Sequence, residues 1–293
     1  MSSIEIKRNI NVVIYSFKGK NLKETVQSLM DNSSSIHNIS FQIYDQSPLT
    51  RREYFSQIKN CQYIHIFWDH ITSPCKYKAN VIKTSNHDYT LIISDSVLVK
   101  KNWDTDLVNF VGNKNIIVSG KNKVSFFQEV PYYLKQNYIN TESFSINNWI
   151  SRDLIFAQTS TLKLVQYPEY LKYNGEEEVL SMTFFCNGID IYSCSDNFYS
   201  SIERNTIETT YHTFSEDHNY NECISLIKTG QNSYINLNNL NKTPEEFCSI
   251  HSISRDLLKP LPFLKDDVHY DPHTSQFDKI DSKKFMTKVN YIA

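Results

Sequence analysis

Alanine is almost missing from this 293-residue chain, which has Ala79, Ala157 and Ala293 and no others, and its glycines number six. Asn, Ile, Lys, Ser and Tyr are abundant in their place. AT-rich codons produce such usage, so the skew speaks of a low-GC bacterium, a protist or a phage rather than of chemistry. No apolar run approaches the roughly 20 residues that cross a bilayer. The opening MSSIEIKR lacks the apolar core of a signal peptide, so the expected location is the cytoplasm, that of a host if the chain is phage-encoded. An excess of one charge is lacking too: 30 Lys and Arg against 32 Asp and Glu leave −2. That balance excludes holding nucleic acid by bulk charge, though not by a local basic channel. None of the six cysteines stands in a CxxC pair, so they read as buried free thiols rather than zinc ligands. Internal repeats, heptads and Gly/Ser linkers are absent as well.

What remains is a globular mix, 40% hydrophobic and 21% charged, long enough for one large α/β domain or two smaller ones. Residues 11–17 (NVVIYSF) form a β-branched run of buried-strand length. Lys18-Gly19-Lys20 turns the chain, and Asn21 is placed to cap a helix over 22–30. Further strands are expected at 40–44, 63–68, 89–93, 115–119 and 189–192, with strand-like material over 153–165. Helices are expected from Ser73-Pro74 to about 83, over 102–111, and over 176–187, stopped near Gly188. This alternation predicts a mostly parallel sheet covered on both faces, with ligands beyond the carboxyl ends of its strands. One rim would then carry residues 16–20, Asp45 to Ser47, Asp69-His70 and Ser94-Asp95-Ser96.

Two clusters carry chemistry. Asp95 leaves an apolar strand nine residues before Asp104, where an acid can hold a divalent cation or simply cap a turn. Gly175-Glu176-Glu177-Glu178 opens a helix, where acids are favoured by the dipole. Three in a row exceed what capping requires, and their repulsion points to a partner or a poised proton. Tyr132, Tyr133 and Trp149 are either a stacking platform or core, and Trp68-Asp69-His70 either lines a pocket or packs.

In order and spacing these segments resemble the GT-A-fold glycosyltransferases, and within them the N-acetylglucosaminyltransferase group that includes the Skp1 hydroxyproline-modifying enzymes. VVIYSFKGKNLKETVQSL resembles the family's first strand and nucleotide loop, and SPCKYK its Gly-Pro-x-x-Ala-Arg helix start. YTLIISDSVLVKKNWD resembles its metal-binding strand and Trp-Asp, YNGEEEVLSMTFFCNGIDIY its Gly-Glu-Glu helix, and NKTPEEFCSI its closing helix. The resemblance runs from about residue 11 to 253. It implies a GT-A domain over 1–253 and an extension over 254–293 that packs on it or forms a lid.

The implied activity is transfer of a sugar from a nucleotide-diphosphate donor, a UDP-sugar first, to a hydroxyl. The donor would meet Ser16, Lys18, Asp45, Lys78, Ser94, Asp95 and Ser96, with Asp45 at the base or ribose and Lys78 neutralising leaving-group charge. Mn2+ or Mg2+ would rest on Asp95 and His212, His218 competing for the second place. Glu177 with Glu176 would be the catalytic carboxylates, Glu177 serving as base if the anomeric centre inverts and orienting or stabilising the acceptor if it is retained, and Trp103, Asn174 and Gly175 would meet the acceptor. Two positions depart from the pattern. Ser94 and Ser96, or Val97 after a one-residue slip, stand where the metal motif has further ligands, and Thr183 stands where related enzymes place the Arg of a buried ion pair. The degenerate metal motif keeps a catalytically inactive binding module as the rival reading. Acceptors are an intracellular protein hydroxyl, a glycan or lipid-linked saccharide, or a 5-hydroxymethylpyrimidine in phage DNA. The composition puts DNA first, with Arg51, Arg52, Lys100, Lys101, Lys114, Lys121, Lys123, Lys283 and Lys284 as either its cationic groove or ordinary solvated surface.

Overall fold

The first stretch of chain does what its hydrophobic pattern dictates. In order come β1 (Asn9–Phe17), α1 (Leu22–Asp31), β2 (Asn38–Ser47), α2 (Arg52–Phe55), β3 (Cys61–Phe67), α3 (Pro74–Thr84) and β4 (Tyr89–Ser94). Then follow β5 (Val97–Val99), α4 (Trp103–Val111), β6 (Ile116–Ser119), β7 (Phe126–Phe127), β8 (Val130–Pro131), β9 (Phe144–Ile146), β10 (Leu154–Gln158) and α5 (Thr159–Leu162). The last elements are α6 (Glu176–Cys186), β11 (Asp190–Cys194), β12 (Tyr199–Ser201), α7 (Asp217–Thr229), α8 (Pro244–Ile250), β13 (Tyr270–Asp271) and β14 (Gln276–Phe277). This computed structural model describes residues 6–17, 19–67, 73–120, 126–127, 130–131, 144–151, 153–171, 175–195, 198–202, 217–238, 240–251, 270–271 and 276–277. Apart from the last two strands, the expected extension over 254–293 lies outside them.

Eight strands form one sheet in the order β3-β2-β1-β4-β10-β6-β11-β9. β1 runs parallel to β2 and β4, β2 to β3, and β11 to β6. The sheet is mostly parallel, as expected, but β10 enters antiparallel between β4 and β6, and β9 lies antiparallel on β11. Period-two alternation divides the strands' side chains between two cores. Ile10, Val12 and Ile14 of β1, Leu91 and Ile93 of β4, and Leu154 and Phe156 of β10 face α1 and α4. Val13, Ile92, Ile155 and Ala157 face the layer of α3, α6, α7 and α8.

Local signals fix several ends. Ser73 caps α3, accepting from Lys76 N–H at 3.1 Å, and Thr243 with Glu246 forms a capping box on α8. Asn21 precedes α1 but makes no capping bond, so that expectation is corrected. The strand-like stretch 153–165 splits into β10 and α5. All six cysteines are free thiols, five of them buried.

Candidate functional site

Register brings the ends of β1, β2 and β4 to one edge: Ser16 pairs with Asp45, Asp45 with His65, and Tyr15 with Ser94. At that edge the Ser16 hydroxyl donates to Asp95 Oδ2 at 2.6 Å, and the Ser94 and Ser96 hydroxyls lie 3.0 Å apart. Gly19 closes the arrangement, since a Cβ there would overlap both the Asp95 carboxylate and the Ser16 hydroxyl. The loop after β1 therefore rests its backbone directly on Asp95, and any side chain there would have to displace the carboxylate and the Ser16 hydroxyl.

Asp45 is fully buried at the same edge. Its Oδ1 accepts from Arg51 Nη1 at 2.8 Å and its Oδ2 from the Tyr63 hydroxyl at 2.7 Å. Arg51 Nη2 also donates to Gly19 O at 2.8 Å, so one guanidinium ties the loop after β1 to the turn after β2. Asp45, expected to meet the base or ribose, thus holds Arg51 through Oδ1 and Tyr63 through Oδ2.

The second constellation is built on α6. Ten of its eleven residues are buried, apolar ones on every side, as befits a core helix. Glu177 is the exception and is half-buried. Gly175 precedes the helix at φ 87°, and a Cβ there would overlap Cys223 Sγ, so both conformation and space demand glycine. Glu176 points inward. Its Oε1 and Oε2 accept from Lys78 Nζ at 2.9 and 2.8 Å, and the Tyr167 hydroxyl donates to Oε1. Burial and the adjacent Glu176 charge hold the Tyr167 hydroxyl well above the usual phenol range, so it stays a donor.

These contacts revise the sequence reading at several positions. Glu176 and Lys78, expected as catalytic acid and leaving-group lysine, satisfy each other inside the core. The ion pair that Thr183 fails to supply is made from α3 instead; Thr183 bonds back to Val179 O within α6. Trp103, an expected acceptor contact, is fully buried and donates its indole N–H to Leu29 O at 2.9 Å. Gly175 has a backbone role, and Trp149 is core, stacked against Phe247. Lys18, Asp69, His70, Tyr132, Tyr133, Asn174 and His212 lie outside the described residues, as do the side-chain surroundings of His218. Arg51 was expected only as groove or surface charge and not beside Asp45, and Tyr63 and Tyr167 were not foreseen. A buried acid at a strand end demands a counter-charge, and that rule alone pointed from Asp45 to the arginines just after it.

The expected DNA groove fares no better. Arg51 pairs with Asp45, Lys100 pairs with Asp106 at 2.9 Å, Lys114 lies over the Phe110 ring, and Arg52 and Lys101 are exposed. Lys121, Lys123, Lys283 and Lys284 lie outside the described residues. A divalent ion would find oxygen donors in Asp95 and the neighbouring serines, but no group of three His, Cys, Asp or Glu side chains converges among the described residues. These residues do not by themselves make a cation cage.

A sheet of this order, layered by helices on both faces with its polar rim at the ends of β1, β2 and β4, is the fold of the GT-A glycosyltransferases. Among solved structures, S. aureus TarS 1–349 in complex with UDP-GlcNAc matches with a TM-score of 0.59 and 16% identity, over 84% of this chain and 70% of that one. GalNAc-T7 with UDP, GalNAc and Mn2+ matches with a TM-score of 0.55 and 10% identity, over 85% of this chain and 55% of that one. No family model and no curated protein matches the chain. At these identities the likeness is one of fold, and it does not single out the hydroxyproline-modifying group. No helix among the described residues is long and apolar enough to cross a membrane.

Proposed function

We propose that the chain is a glycosyltransferase that moves a sugar from a UDP-type donor to a hydroxyl acceptor, with Glu177 as its base. The observation that carries this reading is the exposure pattern of α6, in which one acid alone among eleven residues is not buried. A helix sealed on every other side fixes the backbone from which Glu177 projects, which favours a well-placed base. The acceptor oxygen attacks the anomeric carbon, its proton passes to Glu177, and the bond from that carbon to the diphosphate breaks with its electron pair leaving on the diphosphate. Ser16, Ser94, Asp95 and Ser96 would bind the diphosphate end of the donor. A divalent ion, when bound beside Asp95, would offset diphosphate charge. TarS and GalNAc-T7, each crystallised with a uridine nucleotide, support the donor class. Phage DNA as acceptor has no support in the described cations, and a saccharide or protein hydroxyl is the reading kept.

Hydrolysis and transfer should be measured across a panel of nucleotide sugars with Mn2+ and with EDTA. Wild-type protein is expected to turn over a UDP-sugar, and Glu177→Gln to lose at least a hundredfold in kcat with donor KM unchanged. Full turnover by Glu177→Gln sinks the base assignment, and a protein that binds donor without turnover is the inactive module.

A further inference from the structure

We infer that Arg51 reads the base of the donor nucleotide, and that Asp45 is the positioning residue that aims it. The inference rests on the nucleotide-sugar reading above and names the side chain that sets its base preference.

The geometry is asymmetric. Asp45 is 0% exposed, whereas the Arg51 side chain is 22% exposed at the same rim. Arg51 is held at both ends: its backbone N–H donates to the Tyr63 hydroxyl at 2.8 Å, and the same hydroxyl donates to Asp45. Its two terminal nitrogens are committed in different directions, to Asp45 Oδ1 and to Gly19 O. A guanidinium has five N–H groups in one plane, and two suffice for these bonds. What the clamp achieves is a guanidinium plane of fixed orientation on a side chain that stays partly exposed. The buried Asp45 carboxylate demands a cation, but a lysine would answer that demand as a point charge. A planar fork of fixed direction requires an arginine.

The fork also sets the ligand chemistry. Arg51 can donate and cannot accept, so it matches a base edge that presents acceptors, such as the carbonyl oxygens of uracil. The sequence-based assignment of the base to Asp45 makes the opposite demand, because a carboxylate can only accept and needs the N3–H of uracil. The position also suits a nucleotide running along the rim. Gly19 lies between the two charges, its carbonyl on Arg51 and its α-carbon against Asp95, so base and diphosphate ends have separate stations.

The test is calorimetric titration of the full chain with UDP, 2-thio-UDP, 4-thio-UDP and N3-methyl-UDP. Sulfur is a poor acceptor, so wild type should bind one thio analogue about tenfold more weakly than UDP, a difference of about 1.4 kcal/mol. It should bind N3-methyl-UDP within about threefold of UDP. Arg51→Gln and Arg51→Lys should each lose tenfold or more in UDP affinity and lose the preference against sulfur, with melting temperature followed in parallel. A merely structural Arg51 would change the melting temperature and leave the ratio of UDP to thio-UDP affinity intact, which overturns the inference. Loss of binding on N3-methylation together with indifference to sulfur also overturns it, in favour of Asp45. Wild type that binds no uridine, cytidine or guanosine diphosphate overturns the nucleotide-sugar reading and this assignment together.

Discussion

Glu176 and Asp95 are buried to nearly the same degree, 3% and 5% exposed, yet they sit in different kinds of surroundings. Glu176 lies between α3 and α6, chelated by the Lys78 ammonium and the Tyr167 hydroxyl. Asp95 lies at the end of a parallel strand, takes the Ser16 hydroxyl, and is covered by the backbone of Gly19. The first arrangement answers a buried negative charge with a positive one from another helix, and the pair is sealed. The second places a negative charge where the edge of the sheet meets the loops. Burial alone therefore does not tell a structural acid from a ligand-facing one; the position relative to the strand ends does. The two regions should accordingly fail in different ways, the helix side through stability and the rim through ligand binding.

The largest effect is expected from Lys78→Met. It leaves the Glu176 carboxylate inside the core without its cation, and breaking a buried pair by removing one partner costs about 3–5 kcal/mol. Urea denaturation should show that loss as a lowered midpoint with an unchanged slope. Lys78→Met combined with Glu176→Leu should recover most of it, because the desolvated charge is then gone. A single variant as stable as wild type would mean that Glu176 takes up a proton cheaply, and the contrast between the two acids would collapse.

A somewhat smaller effect tests whether the sealed side extends to α8. His251 packs between Trp149 and Phe247, with ring centroids at 5.2 and 4.5 Å. Burial pushes its imidazole down to about 4, and a backbone hydrogen bond with Asn148 pulls the other way. The folded value lies below the ordinary 6.5, so between 6.5 and 4 the unfolded chain binds the extra proton. Stability from this group is therefore full above about 6.5 and falls as pH drops toward 4, with a slope of at most about 1.4 kcal/mol per pH unit. Chemical denaturation across that window should show the slope in wild type and a shallower one in His251→Phe. Parallel curves for the two proteins would place the titration elsewhere.

The sequence was legible where one local rule decides the outcome. NVVIYSF is a strand because β-branched residues fill both faces of a buried position, and Ser73-Pro74 starts a helix because one residue caps and the next needs no N–H donor. The direction of β10 was not legible, since the LIFAQ segment has the same apolar pattern read along either strand direction. Asp45 and Asp95 were placed at strand ends correctly, because strand ends follow from strand positions. The partners of buried acids were not: Lys78 and Glu176 are 98 residues apart, and no local pattern joins them. Arg51 was read as surface charge because its sequence neighbours are polar, although the buried Asp45 six residues earlier had already created the demand for it.

The smallest effect on stability, and the sharpest contrast with Lys78→Met, is expected from Asp95→Asn. The amide oxygen keeps the Ser16 hydrogen bond, and the substitution removes a buried charge without leaving a hole. The change in unfolding free energy should stay within about 1 kcal/mol, of either sign, because loss of charge assistance offsets relief of desolvation. Its melting temperature should then move by no more than about 4 °C. Function should behave in the opposite sense. An acid kept at a strand end for a ligand gives little to the fold, so its removal should abolish stimulation of UDP-sugar turnover by Mn2+ while the protein remains folded. A stability loss of the size expected for Lys78→Met would instead make Asp95 a structural acid like Glu176, and the rim would have to be sought among the residues around Arg51.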